Sequence, residues 1–457
     1  MDYAYKRDLI LNGNMRKVLL TLSLPVMFNN LIQTLYSVAD MFWVSKLGAV
    51  EVASTGFVWP VLFLIISIGM SITIAGTSLI SQYVGSNNKD KANLTAAQIF
   101  SVSIILGAVL SVLGYLITPY IIRFMGADEA LFKNSTIYLS IMFFDIPCYF
   151  IFLVFGAIRQ AEGDTMSPML LNVAGAITNV ILDPLFILKL NMGIGGAALA
   201  TVLSKVIFTP FVIYLLIKNK DRVHIKLNYL KLRKKVVSKI LRVGVPTCIG
   251  QAGSSLGFIV LNAFIASYGN NTMAAFNIGN NINSIVMMPA LGIGTALASI
   301  IGQNLGAEQT DRAREAFKTA VYLSTVMLVI GGAFLFLFAG NVIKIFVPNV
   351  QDIGVITEGK YYLKVISAGL PFMGIFQVLI GTFQGSGHTL YSMIMDAGRL
   401  WLIRLPMIII FQNLTDLGSP VVWYSMIISN GITCIIGILI YSTGKWERKI
   451  IHKEIAI

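Results

Sequence analysis

Charge is scarce in this chain. Asp, Glu, Lys and Arg make up 12% of its 457 residues, against about 25% in soluble domains. Histidine is scarcer still: His224, His388 and His452 are the only three, and all fall in stretches read as loop or tail. The three cysteines, Cys148, Cys248 and Cys434, lie inside apolar runs without motif spacing. These shortages exclude whole classes of function. Without Cys/His spacing there is no basis for a disulfide framework or a metal centre, and a membrane-embedded enzyme would lack its catalytic His or Cys cluster. The stretch Gly193-Ile194-Gly195-Gly196 follows an apolar run and not a strand, so it is no phosphate loop. It reads as a tight turn where helices approach closely. No cofactor is expected. No cleavable signal is expected, because the polar start MDYAYKRDLILNGNMRK leads into a run too long for a signal core.

What remains is apolar. With 56% hydrophobic residues and a mean hydropathy of +0.78, the sequence is that of an all-α polytopic membrane protein. Twelve apolar runs are long enough to cross a hydrocarbon core of about 30 Å. They fall near residues 17–45, 53–84, 94–122, 134–158, 168–190, 194–217, 239–268, 272–305, 317–340, 359–384, 391–413 and 419–443. Pro25 and Pro60 give the first two spans a plausible bending point.

The net charge of +13 is a topology signal and not a nucleic-acid patch. With an even number of spans, both termini lie on one side. Placing them inside puts 24 Lys and Arg residues there and 6 outside, a strong positive-inside bias. The expectation is a multi-pass protein of the cell (inner) membrane with both termini cytoplasmic, in contact with the lipid bilayer and with no nucleic acid partner.

The longest polar stretch, Lys218–Arg242, sits at mid-chain between two groups of six spans. At an offset of 221 residues Pro25 meets Pro246, Gly48 meets Gly269, Gln82 meets Gln303, Gly85 meets Gly306 and Asp90 meets Asp311. At an offset of 224, Tyr138 meets Tyr362, Pro147 meets Pro371, Gly163 meets Gly387 and Thr165 meets Thr389. Such a register points to duplication. Six spans per copy give both copies the same orientation, related by an axis along the membrane normal. The expected division is an N-terminal six-helix lobe over 1–217, a cytoplasmic linker over 218–238, and a C-terminal lobe with a basic tail over 239–457. The two pseudo-symmetric bundles would enclose a central cleft.

Against this background two carboxylates stand out. Asp183 ends the stripe Asn172, Asn179, Asp183 in the fifth span, and Asp40 ends the stripe Asn29, Gln33, Tyr36, Asp40 in the first. Both stripes follow helical spacing. An acid inside a bilayer costs about 2.5–3.5 kcal/mol on insertion scales, which makes it a functional site by default. From a rise of about 1.5 Å per residue, both acids lie within roughly 10 Å of the outer surface, with Thr201 of the sixth span at similar depth. The second half has Leu261 and Met407 at the matching positions, so the pair is not a by-product of duplication. Two neighbouring acids cannot both ionise cheaply. They make a proton site, or a Na⁺ site if both ionise around the cation; the plainer reading is that each acid pairs with a base or hydroxyl to hold helices together.

Other polar groups have plainer readings. Asp145 and Lys205, both near mid-membrane, read as a structural ion pair, although Lys205 lies one turn from Thr201 and could tune the acids. Asp396 and Arg399 read as a structural i, i+3 pair. Asn277, Asn281 and Arg404 are candidate lining of a substrate cavity, with interhelical packing as the alternative for the amides.

Asp40 within LYSVADMFWVSKLG, the NVILDP segment Asn179–Pro184 and GIGGAALAT at 193–201 resemble the multidrug and toxic compound extrusion (MATE) transporters, most of all their archaeal and DNA-damage-inducible branch. The likeness extends to AEGD at 161–164 and to the Gln82/Gly85 and Gln303/Gly306 loop ends. It implies a twelve-helix, two-lobe antiporter that exports small organic cations against H⁺ or Na⁺; a monomer is expected. It also implies a cation site of Asp40, Asn179, Asp183 and Thr201, with Tyr36 and Gln33 beside it. Lys205 and Asp145 depart from that branch. A lipid-linked precursor flippase of the same architecture is the alternative, kept open by Arg404 and Lys205.

Overall fold

The computed structural model describes residues 3–219, 221–346 and 353–451; Lys220, His452 and the tail lysine Lys453 lie outside them. The described chain is helical. A short helix α1 (Tyr3–Asn12) precedes α2 (Met15–Ser45), α3 (Ala49–Gly85), α4 (Lys89–Phe124), α5 (Glu129–Ala161) and α6 (Met166–Pro184). Next come α7 (Gly193–Val206), α8 (Thr209–Lys218), α9 (Lys234–Ala266), α10 (Asn270–Gly306), α11 (Thr310–Phe346) and α12 (Ile353–Ser386). The last are α13 (Thr389–Gly398), α14 (Leu405–Leu414) and α15 (Pro420–Ser442).

Eleven stretches of the described residues are helical, long and apolar enough to cross a membrane. Two of them are composite. α6 continues beyond Pro184 as a π-helix, Leu185–Lys189, and α7 gives way to α8 after a turn at Ile207. The remaining expected span, near 391–413, is unbroken but not uniform, because a π-helix, Arg399–Arg404, joins α13 to α14. Large apolar side chains are exposed along these helices, among them Leu116, Ile117 and Tyr120 of α4 and Ile330, Phe334 and Leu337 of α11. Helices with every backbone group satisfied internally and an apolar exterior are the solution a bilayer demands.

The chain forms two compact units. Unit 1 comprises residues 1–8 and 28–244, and unit 2 comprises residues 9–27 and 245–457. The boundaries differ from contiguous halves at two places, each for a local reason. The polar segment after α8 is tied to unit 1: Gln98 donates to the carbonyls of Tyr229 (2.5 Å) and Lys231 (2.8 Å), and Ser101 donates to that of Leu230 (2.8 Å). The start of α2 belongs to the core of unit 2, where Met15, Val18, Leu19 and Leu22 pack with Ile293, Leu297 and Phe383. Of the three changes of unit, those after Met27 and after Gly244 fall within two residues of the paired prolines Pro25 and Pro246.

Inside each unit the same packing recurs. α3 and α4 pack on α5, as α10 and α11 pack on α12. Small residues allow this. A Cβ on Gly381 or Gly385 of α12 would fall on the carbonyls of Gly294 and Ala298 in α10, a small-xxx-small crossing in which backbones touch. The turns repeat too. Asn87 and Glu308, 221 residues apart, both take a left-handed φ, 57° and 63°, and Gly163 and Gly387 match at 80° and 81°. Gly193 starts α7 at φ 57°, and at Gly196 a Cβ would meet the Phe186 carbonyl at 2.9 Å. The glycines there serve a turn and a close approach.

Candidate functional site

α6 and α7 form an antiparallel pair joined by the Gly193 turn, and this brings the polar stripe of α6 against Thr201. With its amide oriented to satisfy both ends, Asn179 donates to Asp183 Oδ2 (2.9 Å) and accepts from the backbone N–H of Thr201 (3.2 Å). Tyr36 of α2 reaches the same point, its hydroxyl 3.4 Å from Thr201 Oγ1. One turn and more deeper, Asn172 donates to Asn29 Oδ1 at 2.8 Å, so the two stripes face each other along α2 and α6. Asn179 and Asp183 are fully buried. Asp40 lies within electrostatic range of Asp183.

Each acid carries an unsatisfied oxygen. Oδ1 of Asp40 and Oδ1 of Asp183 are buried without a hydrogen-bond partner. A buried carboxylate oxygen with no donor is costly, and a proton or a bound cation relieves it. All around it the neighbours are oxygen donors: two carboxylates, an amide and two hydroxyls. That set suits a proton or a hard monovalent cation.

Lys205 points elsewhere. Its Nζ donates to Asp145 Oδ2 at 2.6 Å, while remaining in electrostatic range of Asp40. Gln33 is exposed and makes no side-chain hydrogen bond to the acids. The sequence reading missed Tyr138 of α5. It is buried and within electrostatic range of Asp40, Tyr36, Asp183 and Asp145. The available signal was its place in the repeat, opposite Tyr362. Between α2 and α6 lies an apolar groove of about 320 Å³, lined by Ile32, Leu35, Tyr36, Ala176, Ile177 and Val180.

In unit 2 the candidate lining residues divide. Asn277 and Asn281 are exposed on α10. Arg404, in contrast to the expected cavity lining, is enclosed at 1% exposure. Its Nε donates to Ser429 Oγ (3.0 Å) and its Nη2 to Asn430 Oδ1 (2.7 Å). Arg399 makes no ion pair with Asp396; it donates to Asn430 Oδ1 at 3.1 Å and to Met373 Sδ at 3.2 Å. Helical spacing brought Asp396 and Arg399 to one face, but the π-helix that begins at Arg399 turns its side chain toward α15.

At the turn between α5 and α6, AEGD forms a tight ionic cluster. Arg159 donates to Glu162 at 2.8 Å, and Asp164 pairs with Arg222 (2.6 Å) and Lys6 (3.0 Å) and accepts from Ser167 Oγ (2.7 Å). Burial opposes the charged form of Asp164. The Ser167 and Arg222 hydrogen bonds and the Lys6 charge outweigh it, so the carboxyl sits well below the usual carboxylate range.

A duplicated helical membrane unit with an acid pair inside its apolar helices is the architecture of a secondary transporter rather than an enzyme. The comparisons make that particular. The MatE family model matches residues 25–185 and again 246–410, the two matches starting at the paired prolines, and the chain belongs to that family. It is 26% identical over 446 residues to the probable multidrug resistance protein YoeA of Bacillus subtilis, covering 94% of each chain. To the multidrug export protein MepA of Staphylococcus aureus it is 24% identical over 429 residues, covering 93% of each. Among solved structures it resembles an outward-facing multidrug resistance MATE transporter of the MOP superfamily. The TM-score is 0.89 and the identity 28%, covering 95% of this chain and 97% of that one. A MOP-superfamily transporter from Pyrococcus furiosus gives 0.90, again at 28% identity with 95% and 97% covered.

Proposed function

We propose that this chain is a monomeric antiporter of the cell (inner) membrane that exports small organic cations in exchange for H⁺ or Na⁺. The observation that carries the reading is the Asp183–Asn179–Thr201–Tyr36 constellation with Asp40 in electrostatic range and a partnerless oxygen on each acid. A proton or Na⁺ entering the site neutralises the pair; loss of that ion restores a negative site that attracts a cation. Exchange follows because the two occupants compete for one charge, with alternating access carrying each to its own side. The apolar groove beside Tyr36 offers the adaptable surface that hydrophobic cations need.

Both termini and the segment after α8 are cytoplasmic in this reading, following the distribution of Lys and Arg. The archaeal and DNA-damage-inducible branch stays our assignment, on NVILDP and the α2 acid. The flippase reading loses its footing: Arg404 is enclosed and Lys205 is paired with Asp145, so neither offers a free cationic surface to an anionic headgroup.

The test is efflux of a fluorescent organic cation from proteoliposomes under separately imposed pH and Na⁺ gradients, with Asp183→Asn and Asp40→Asn alongside. Each variant keeps the size of the side chain and removes its charge. Gradient-driven efflux should vanish in both, in protein that still inserts and folds. Wild-type rates in both would refute the carboxylate mechanism.

A further inference from the structure

Unit 2 has no counterpart of the acid pair, yet it is not apolar at the corresponding place. Under the offset of 224 residues, Tyr138 corresponds to Tyr362 and Thr201 to Ser425. In unit 1 that tyrosine stands among carboxylates. In unit 2 Tyr362 stands within electrostatic range of Arg404. The charge near the paired tyrosine is therefore of opposite sign in the two units.

The cluster is rich in donors and poor in acceptors. Arg399 and Arg404 are 7% and 1% exposed. Together two guanidiniums carry about ten N–H donors. Both draw on the single Oδ1 of Asn430, at 3.1 and 2.7 Å. Arg404 adds Ser429 Oγ (3.0 Å) and the Met426 carbonyl (3.4 Å), and Arg399 adds Met373 Sδ (3.2 Å) and lies over the Phe376 ring at 4.5 Å, contacts that supply no anionic acceptor. Three further donors are buried without any partner: Arg399 Nε, the Tyr362 hydroxyl and Ser425 Oγ. Ser425 lies one turn before Ser429 on α15. No carboxylate is within ion-pair distance of either arginine among the described residues. Asp396, one turn before Arg399, acts on it only through space, and Glu358 is held by Ser419 (2.5 Å) and Trp423 (3.1 Å).

Two buried cations against one acid leave one positive charge uncompensated, and such a charge is strongly destabilising until something neutralises it. A π-helix, Arg399–Arg404, carries both arginines, and π segments inside helices recur at functional sites because they re-aim side chains at a heavy local backbone cost. We infer that unit 2 carries a binding site for a monovalent anion, a halide or a carboxylate group, held between Arg399 and Arg404 with Tyr362 and Ser425 as further donors. One charge is missing, which sets the valence; hydroxyl and guanidinium donors without an acceptor set the chemistry. The site is independent of the acid pair in unit 1, so either reading can fail alone.

The experiment measures thermal unfolding of the purified full-length protein at constant ionic strength, starting in sodium gluconate, whose anion is bulky. Chloride and formate then replace gluconate in separate titrations. Binding to the folded state raises the melting temperature along a saturating curve. A response to chloride alone assigns a halide site, and a response to formate assigns a carboxylate-bearing ligand. Asn430→Asp builds a fixed carboxylate between the two guanidiniums. That variant should melt above the wild type in gluconate and respond to neither anion. Arg404→Gln should lose the response as well. The proposal is overturned by a wild type that melts alike in all three salts, or by an Asn430→Asp protein that keeps the full wild-type response.

Discussion

Breaking the Lys205–Asp145 pair gives a quantitative check on how the charged interior of unit 1 is held. Lys205→Met removes the partner of Asp145, whose Oδ2 accepts from Nζ at 2.6 Å and whose Oδ1 is already buried without a partner. Removing one member of a buried pair costs about 3–5 kcal/mol, because the other charge is left uncompensated. The Lys205 side chain is 21% exposed and that of Asp145 8%, so solvent relieves part of this, and about 2–3 kcal/mol is the expected loss. The double variant Lys205→Met with Asp145→Leu removes both charges. Its stability should return to the wild-type value or exceed it, since replacing a buried pair by apolar side chains is often neutral to stabilising. The assay is thermal unfolding of the purified variants, with cation efflux against pH measured in parallel. A structural pair predicts a lower melting temperature in the single variant, recovery in the double, and an unchanged pH profile. A single variant that melts like the wild type refutes the energetic argument. A shifted pH profile refutes the purely structural role and makes Lys205, through its reach to Asp40, part of ion coupling.

Three further expectations concern other parts of the chain. The depressed Asp164 carboxyl contributes stability that is fully present above the unfolded carboxylate value of about 4 and is lost as pH falls below it toward the folded value. Asp164→Asn should therefore lower stability by about 1.5–3 kcal/mol at neutral pH, expose the 221–233 segment to protease, and flatten the difference from wild type in acid. Gly381→Ala places a methyl on the Gly294 carbonyl and should cost about 1–3 kcal/mol, read as a lower melting temperature; an unchanged one would mean the α10–α12 crossing gives way freely. For topology, single cysteines at the exposed positions Lys46 and Asp221 should report opposite faces to an impermeant thiol reagent, and labelling of both from outside would reverse the assignment.

Much of this molecule is legible in the sequence for simple reasons. Apolar runs of more than about 20 residues must be helices in a bilayer, and the eleven long apolar helices of the described residues lie where the runs predicted. Duplication was visible because turns demand particular residues: the left-handed geometry at Gly163 and Gly387 preserves glycine across both copies. Asp40 and Asp183 could be singled out because an acid inside an apolar run is rarely tolerated without use.

Tertiary structure decided what each charge touches. Helical periodicity brought Asp396 and Arg399 to one face, but two π segments shift the register of the helices around them, and no spacing rule foretells where a π segment falls. Arg404 therefore turned inward to Ser429 and Asn430, and Arg399 turned to Asn430 and away from the acid one turn earlier. Tyr138 came near the acids because α5 packs against α6, which carries Asp183, and against α7, contacts that periodicity does not foretell. Unit boundaries moved to the paired prolines because the segments that cross them, Leu9–Met27 and the polar stretch before Val245, bury their side chains and hydrogen bonds on the partners that packing brings near. Sequence determines which groups are too costly to leave alone in a membrane, and only the packed helices decide which neighbour relieves each one.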